Sequence, residues 1–323
     1  ADPRAKSKLG GFFERWLKLD VDTDLRKEAD IFPGFDAALV ADLRRSLEVF
    51  VEQVVWSEKS DYRELLQVLV WKNITLRYKQ SYLGMAWLVL RPLMLVGIFM
   101  VVRSFVGIDS GVVPYALLTY CAMVPWVFFQ EAASDGVGSV VNHANLVKKI
   151  YFPREIFPLA SVLTVSVQLG IGLVILALMM LWYQWAPTWH ALWLLPLLLY
   201  TMLTALTLSL AGAAMNVYVR DLGQGIPLLL SMAMYLTPVI YPLDLVRRAL
   251  LENQAAGSWS EALYTLYTLN PMTGVIDGFQ RALLKGTPPD WAAMAPGAAL
   301  VFILFPISYI FFKRAEAYFA DVI

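Results

Sequence analysis

Residues 159–183 read LASVLTVSVQLGIGLVILALMMLWY, a stretch of 25 residues without a charged side chain. From Leu173 to Leu181 every position is apolar, so a helix formed there has no face suited to water. A helix that crosses the hydrocarbon core of a bilayer needs about 20 mostly apolar residues. A strand of a membrane barrel would instead alternate apolar and polar positions over about 10 residues. The stretch therefore predicts a membrane-spanning helix and an all-α integral membrane fold.

Five further segments of the same character lie on either side of this stretch. Together the segments predict six spans, at 85–107, 113–132, 159–183, 191–216, 225–243 and 292–312. The composition agrees, because 59% of the 323 residues are hydrophobic and only 16% are charged, against about 25% charged residues in soluble domains. The 26 basic and 26 acidic residues balance, so the chain has no net charge that would attract nucleic acid.

Basic residues set the predicted orientation of these spans. Fourteen Lys and Arg precede the first span and others lie in 133–158 and 313–323, while 108–112 and 184–190 carry none. Cytoplasmic segments of membrane proteins hold the excess of Lys and Arg. The pattern predicts a multi-pass protein of the inner (plasma) membrane with both termini in the cytoplasm. The loop 244–291 carries charges of both signs, but long loops follow the rule weakly.

The chain has two parts of different character. We predict a cytoplasmic N-terminal extension over 1–60 and a transmembrane domain over 61–323. Apolar residues at spacings of three and four over 36–56 predict an amphipathic helix, which either packs on the protein's own cytoplasmic side or lies on the inner leaflet. Over 62–83, cations are interleaved with Leu, Val, Trp and Tyr, a pattern that suits the headgroup boundary. This segment predicts an interface helix that leads into the first span.

The sequence lacks the groups that catalysis needs. The third, fourth and fifth predicted spans contain no acidic residue and no histidine, and no G-x-x-x-x-G-K-[ST] phosphate loop occurs. The single cysteine, Cys121, cannot form an intramolecular disulfide or a cysteine-based zinc site. We therefore predict that the chain is not an enzyme, has no catalytic or metal-binding residues and binds no cofactor itself. If ATP drives its activity, a separate chain binds the ATP.

Two arginines of the first predicted span, Arg91 and Arg103, bracket the apolar run Pro92–Val102. A charge in hydrocarbon costs several kcal/mol unless it reaches the interface or faces water. We predict that Arg103 extends to the outer interface. Arg91 either extends to the inner interface or faces a wet pathway or a phosphate group.

Six short motifs follow the order of the predicted spans. They are RYKQSYLG at 77–84 with Trp87 and Arg91-Pro92, VPWVFF at 124–129, NLVKKIYFP at 145–153, Asn216 through Arg220-Asp221, TPVIYP at 237–242 and LNPMTG at 269–274. Over about residues 65–318 the chain thereby resembles the ABC-2 type polysaccharide export permeases. These are the membrane subunits that export O-antigen, capsule polysaccharide or teichoic acid.

The resemblance implies a half-transporter without an ATPase of its own. Two copies of the chain would pair with two ABC ATPase subunits that carry ATP and Mg, and a lipid-linked glycan would be the substrate within the membrane lipids. The loop between spans two and three would supply a coupling helix, and short outer gate helices would follow span five. The implied ATPase-coupling residues are Asn145, Leu146, Lys148, Lys149, Arg220 and Asp221, and the implied outer-gate residues are Pro238, Asn270 and Pro271.

Each of these assignments has a simpler structural alternative. Lipid headgroups would hold the loop around Asn145–Lys149, and Arg220 with Asp221 would form a local ion pair or a helix-end cap. The segment Thr237–Pro242 is either the outer end of span five or a break that borders the pathway. A stripe of small residues on the fourth span predicts close helix packing; it consists of Ala205, Ser209, Gly212 and Ala213.

Aromatic residues make up 13% of the chain and suggest how a glycan would be conducted. Sugar rings present flat CH faces that stack on aromatic rings, and weak stacking at several rings lets the chain move on, as conduction requires. We predict a conduit between two copies of the chain, walled by spans one and five, which proline breaks in both. The candidate pathway residues are Trp87, Arg91, Trp126, Tyr235 and Tyr241; the alternative for each ring is packing or an interfacial belt.

Two other functions remain open at this point. A permease of the same class would carry a drug or a lipid in place of a glycan. A secondary transporter or a membrane enzyme would act from this chain alone, without an ATPase.

Overall fold

The structure is a computed structural model that describes residues 62–78, 86–107, 112–149, 152–252 and 259–323. The chain divides into two units, Ala1–Leu65 and Leu66–Ile323. The predicted extension over 1–60 and its amphipathic helix at 36–56 lie outside the described residues.

The regular structure of the described residues is helical. The helices are α1 (Tyr62–Tyr78), α2 (Ala86–Val106), α3 (Tyr115–Asn142), α4 (Ala144–Lys149), α5 (Ile156–Trp182), α6 (Leu194–Tyr218), α7 (Leu222–Leu236), α8 (Leu243–Arg247), α9 (Trp259–Thr268), α10 (Pro271–Gln280), α11 (Trp291–Glu316) and α12 (Phe319–Val322). A 3-10 turn at Trp189–Trp193 leads into α6, and π-helical turns at Arg248–Glu252 and Arg281–Lys285 follow α8 and α10.

Four of the described helices are long and apolar enough to cross a membrane: α3, α5, α6 with its 3-10 turn, and α11. They coincide with four predicted spans and confirm an all-α membrane protein. The helix α2 has 21 residues and covers the predicted first span. The helix α7 overlaps the predicted fifth span but has only 15 residues, about 22 Å at 1.5 Å per residue, against about 30 Å of hydrocarbon. The count of six spans therefore stays a prediction.

The helix α3 lies at the centre of the bundle and contacts α2, α5, α6, α7 and α10. The sequence predicts that this span ends at residue 132 and that 133–158 form a loop, but α3 continues to Asn142. The prediction is wrong over 133–142 because Gly136 packs against Ser209 of α6 and does not end the helix. A separate short helix, α4, begins only at Ala144.

Small residues bring α3 and α6 close together, as the sequence predicts for the stripe on the fourth span. Ala205, Ser209 and Ala213 are fully buried. A methyl group added at Gly136 would lie 2.1 Å from the Ser209 hydroxyl oxygen, and one at Gly212 would lie 2.5 Å from a Val137 methyl carbon. The two helices therefore touch over a surface on which no larger side chain fits.

We expect the substitution Gly136→Val to lower the stability of the folded protein by about 1–3 kcal/mol, the usual result of overpacking a filled interior. Gly170→Ala on α5 is the matched control, because an added methyl group there meets no atom within 4 Å. Thermal unfolding of both variants in detergent measures the difference. A Gly136→Val variant as stable as Gly170→Ala would contradict this packing.

Proline does not break the first predicted span. Pro92 lies inside the continuous helix α2, and Pro227 lies inside α7. In the fifth span the helix instead ends at Leu236, so the prediction that it runs to 243 is wrong. Two further prolines, Pro238 and Pro242, follow and cannot donate the backbone hydrogen bonds that a longer helix needs.

Candidate functional site

The helix bundle has two ends. The helix α3 begins near α10, because the Gln280 side-chain amide donates to the Leu118 carbonyl at 3.4 Å. It finishes beside α4. The side-chain amide of Asn216, near the end of α6, donates to the Val137 carbonyl at 3.1 Å, so α6 finishes at the same end. We call these two ends the α10 end and the α4 end.

Two predicted pathway residues share a small cavity between α2, α3, α5 and α7. Trp87 and Arg91 line it together with Gln130, Glu131 and Met234, and its volume is about 40 Å³. A buried water needs about 10–15 Å³ by this measure, so the cavity has room for two or three. The structure therefore brings the predicted residues of α2 next to the residue that precedes Tyr235 on α7.

Arg91 has a carboxylate partner that the sequence analysis does not predict. Its guanidinium lies 3.2 Å from one carboxylate oxygen of Glu131. Arg77 lies 3.4 Å from the other Glu131 oxygen and 3.1 Å from Asp135. The cluster holds two cations and two carboxylates, so its net charge is zero. The sequence does contain a signal for this cluster. Two carboxylates lie four residues apart on one predicted helix, and two arginines lie in the segments before it.

Trp126 lies inside the protomer. Its side chain is fully buried, and the indole N–H donates to the Gln130 amide oxygen at 3.0 Å. The Gln130 amide nitrogen in turn donates to the Ser231 hydroxyl at 3.0 Å. Trp126 therefore orients the link between α3 and α7 and presents no ring to the protomer surface. Tyr235, by contrast, is 57% exposed.

At the α10 end, tyrosines and one asparagine hold the segment that follows α7. The Tyr241 hydroxyl donates to the Tyr235 carbonyl at 3.3 Å, and the Tyr267 hydroxyl lies 3.5 Å from the Tyr241 hydroxyl. Tyr115 donates to the Ile240 carbonyl at 2.8 Å. Burial raises the pKa of Tyr267, and the contact with Tyr241 raises it further, so this phenol is neutral at physiological pH.

The predicted gate residues meet at this segment. Asn270 caps α10, since its side-chain oxygen accepts from the Met272 N–H at 3.1 Å, with Pro271 at the first helical position. Its amide nitrogen donates to the Thr237 hydroxyl at 2.9 Å. Pro238 is buried beside it. The motif beginning at Leu269 thus opens a helix, as the sequence predicts.

A cluster of ion pairs, which the sequence analysis misses, joins α8, α10 and the start of α11. Its centre is Arg281, 2.6 Å from Asp277 and 3.4 Å from Asp290. The remaining members are Arg247, Asp244 and Lys285. We call these six residues the Arg281 cluster. Burial raises the pKa of Asp277 even though Arg281 opposes the effect.

Near the start of α3, Arg103 lies over the Tyr115 ring, with its guanidinium carbon 4.9 Å from the ring centre. An arginine held over an aromatic face gains about 0.5–2 kcal/mol. The contact places Arg103 at the α10 end, the end that the sequence analysis predicts to be the outer interface.

At the α4 end, α4 presents two of the predicted coupling residues. Asn145 and Lys148 are exposed, while Val147 is buried and anchors the helix. The helix α12 contacts α4 and inserts the buried Phe319 edge-on against Phe312. The short C-terminal helix therefore supports α4 from behind.

Arg220 and Asp221 are exposed in the turn between α6 and α7 at the same end. The two side chains form no ion pair with each other among the described residues, and Asp221 caps α7 without a side-chain hydrogen bond. Its carbonyl accepts from the N–H groups of Gln224 and Gly225. Both side chains are therefore directed to solvent or a partner, and the predicted local ion pair does not form.

The fold and these sites define a polytopic α-helical membrane protein with charged and aromatic groups between α2, α3 and α7. A model of the ABC-2 type transporter family matches residues 64–284, and the chain belongs to this family. A model of a protein family of unknown function (PSD4, DUF1592) matches residues 1–72.

Three curated relatives are O-antigen export system permease proteins called RfbA. The relative from Myxococcus xanthus is 29% identical over 264 residues, which cover 81% of this chain and 96% of the relative. Two relatives from Klebsiella pneumoniae are 24% and 23% identical; the alignments cover 69% and 80% of this chain and 82% and 95% of the relatives.

Proposed function

We propose that the chain is the membrane subunit of an ATP-driven exporter that moves a lipid-linked polysaccharide of the O-antigen or capsule type across the inner membrane. The similarity to three O-antigen export permeases, each over at least 69% of this chain, carries the proposal. Membership of the ABC-2 family supports the class of transporter. The chain spans the membrane six times, with both termini in the cytoplasm, and the distribution of Lys and Arg supports this orientation.

The polysaccharide passes between two copies of the chain. In support, α2 and α7 both pack on α3, and each leaves an outer face uncovered in one protomer. The structure describes all 15 residues of α7, and among them only Met234 is buried. On α2, Trp87 is 50% exposed. A second copy that covers these faces would enclose a conduit with Trp87, Arg91, Tyr235 and Tyr241 along it.

The conduit is expected to be nearly neutral. Arg91 is paired with Glu131 at 3.2 Å, so the cation is balanced before any substrate arrives. A balanced charge would not hold a passing glycan tightly, and a chain moved in steps needs sites weak enough to leave. The small cavity beside Arg91 would supply water to hydroxyl groups.

Two ABC ATPase subunits drive the movement from the α4 end. A docking surface at this end is supported by four exposed residues. Asn145 and Lys148 lie on α4, and Arg220 and Asp221 lie in the turn between α6 and α7. The helices α8, α9 and α10 form the outer gate at the opposite end. The contacts of Asn270 with Thr237 support a gate that moves as a unit with the segment after α7.

We expect a chain without Trp87 and Tyr235 to export less polysaccharide. In cells whose own gene is deleted, the variant Trp87→Ala with Tyr235→Ala should restore at least about fivefold less surface polysaccharide than wild type, since each of the two lost aromatic contacts weakens binding by about 0.5–1.5 kcal/mol. Phe302→Ala is the control, because Phe302 is 64% exposed on α11, whose main contacts are with α6, α9 and α10.

Surface polysaccharide is quantified by gel staining of whole-cell extracts, with the level of membrane-inserted protein measured alongside. Normal export by the double variant would remove the proposed role of these rings. Failure of the wild-type chain to restore export in the deletion strain would contradict the proposed function itself.

A further inference from the structure

A second and larger cavity lies at the α10 end, outside the proposed conduit. Its volume is about 340 Å³, within the range of about 300–1,000 Å³ typical of small-molecule sites. It is bounded by the start of α3, the turn after α5, the helix α8 and the π-helical turn after α10. The lining residues that carry the argument are Trp185, Leu118, Pro242, Asp244, Arg248 and Lys285.

One wall of this cavity is aromatic and fixed in place. The indole N–H of Trp185 donates to the Leu284 carbonyl at 3.0 Å, and the Trp185 backbone N–H donates to the Met180 carbonyl at 2.8 Å. Both ends of the residue are therefore held. The buried side chains of Leu118 and Pro242 continue the apolar surface. A pre-formed aromatic wall suits a flat apolar ligand face, because the ring loses little freedom on binding.

The rest of the cavity offers hydrogen-bond donors and one acceptor. The Lys285 ammonium lies 2.6 Å from Asp244, and Arg248 is exposed and forms none of the ion pairs found among the described residues. Burial alone would raise the pKa of Asp244, but the hydrogen bond and charge of Lys285, with Arg281 and Arg248, hold the pKa of this carboxyl below its ordinary value. Asp244 is therefore a carboxylate at neutral pH and accepts hydrogen bonds.

We propose that the cavity beside Trp185 is a saccharide-binding site at the outer face, which takes one sugar unit of the exported glycan. A pyranose ring has an apolar CH face for the indole and hydroxyl groups that both donate and accept. Asp244 accepts from those hydroxyls, and Arg248 and Lys285 donate to them. This inference rests on the proposed function for the identity of the ligand.

The same residues argue against a phosphate ligand. The Lys285 ammonium is already paired with Asp244 at 2.6 Å, which leaves Arg248 as the cation to balance a phosphate, whereas the Asp244 carboxylate is a good partner for a hydroxyl donor. Binding of one sugar unit is weak and reversible. A weak site outside the conduit would keep the emerging glycan from sliding back between steps, without stopping its advance.

Saturation-transfer NMR tests the proposal on the full chain in phosphatidylcholine nanodiscs. The probes are the methyl glycosides of glucose, galactose, mannose and N-acetylglucosamine. We expect transfer to the ring CH protons of at least one probe. Trp185→Ala should weaken its binding roughly three- to tenfold, the effect of losing one aromatic contact, and Trp185→Phe should restore part of it. Trp189→Ala should have no effect, because Trp189 is 71% exposed and packs at a tilt against His190 outside the cavity.

Arg248→Gln gives an independent test, because an exposed side chain without an ion pair can be changed without loss of folding. It should also weaken binding, with an unchanged unfolding temperature. The proposal is overturned if no probe receives transfer, if Trp185→Ala and Arg248→Gln both bind like wild type, or if glycerophosphoethanolamine displaces the sugar, which would show a lipid headgroup site. Export in the deletion strain reports separately on the proposed function, so sugar binding without export would contradict that function and leave the site intact.

Discussion

The substitution Arg281→Leu is expected to destabilise the protein by about 3–5 kcal/mol, the cost of leaving a buried charge without its partner. Asp277 is only 1% exposed, and its carboxylate lies 2.6 Å from the Arg281 guanidinium. The second carboxylate oxygen of Asp277 has no hydrogen-bond partner among the described residues. Lys285 also attracts the Asp277 carboxylate through space, but it makes no hydrogen bond to Asp277 as Arg281 does.

The pH dependence distinguishes this cause from general damage. Burial already places the pKa of Asp277 above its ordinary value in the folded protein, and loss of Arg281 would raise it further. A raised carboxyl pKa means that the folded state gains stability as pH falls and the group takes up its proton. The loss of stability of Arg281→Leu relative to wild type should therefore become smaller as the pH is lowered from about 7.5 to about 5.

Two controls accompany the measurement, which is thermal unfolding in detergent at both pH values. Arg247→Leu removes a half-exposed arginine with one long pair to Asp290 at 3.4 Å, and should cost less than about 1 kcal/mol. Adding Asp277→Asn to Arg281→Leu should recover part of the loss. Equal effects of Arg247→Leu and Arg281→Leu would contradict the account of the Arg281 cluster.

Reversal of charge on α4 is expected to abolish export. The double variant Lys148→Glu and Lys149→Glu reverses two charges of the helix proposed to dock the ATPase. Like charges brought together at an interface cost several kcal/mol, so we expect ATPase binding to weaken about a hundredfold or more. Membrane insertion should be unchanged, because α4 is anchored by the buried Val147 and not by the exposed Lys148.

Co-purification of the ATPase with tagged variants measures this effect. Lys72→Glu, an exposed lysine on α1, controls for a change of charge elsewhere on the same predicted side. ATPase binding and export equal to wild type in the double variant would leave α4 as a segment held by lipid headgroups.

Much of the bundle was predictable because its signals are local. Long apolar runs reveal α5, α6 and α11 without knowledge of their neighbours. The start of α10 is encoded by Asn270 and Pro271, which suit the cap and the first turn of a helix. The stripe that includes Ser209 lies on one helix and predicts close packing in the same way.

The features that sequence reasoning missed depend on tertiary contacts. The helix α3 continues past residue 132 because Gly136 is pressed against Ser209, 73 positions later in the chain, whereas an isolated glycine favours a helix end. Arg91 and Glu131 are 40 residues apart. The Arg281 cluster draws its charges from positions between 244 and 290, where the composition alone shows only a loop with charges of both signs.

The burial of Trp126 was equally hidden from the sequence. A tryptophan within an apolar span has the same local pattern whether it faces a conduit, lipid or a neighbouring helix. The direction of the Trp126 side chain is set by its hydrogen bond to Gln130, which in turn donates to Ser231 and links α3 to α7. The exposed rings of Trp87 and Tyr235 remain the stronger candidates for contact with a glycan.

Photo-crosslinking during export shows which side chains the moving glycan contacts. A benzophenone amino acid replaces Trp87, Tyr235 or, as the control, the exposed Phe302 of α11 in cells that are exporting polysaccharide. Illumination should attach glycan to the chain at Trp87 and Tyr235 but not at Phe302, and only while the partner ATPase can hydrolyse ATP. Glycan detected on the purified chain by periodate staining gives the result. Equal labelling at all three positions, or none at Trp87 and Tyr235 during active export, would contradict a conduit between α2 and α7 of two copies.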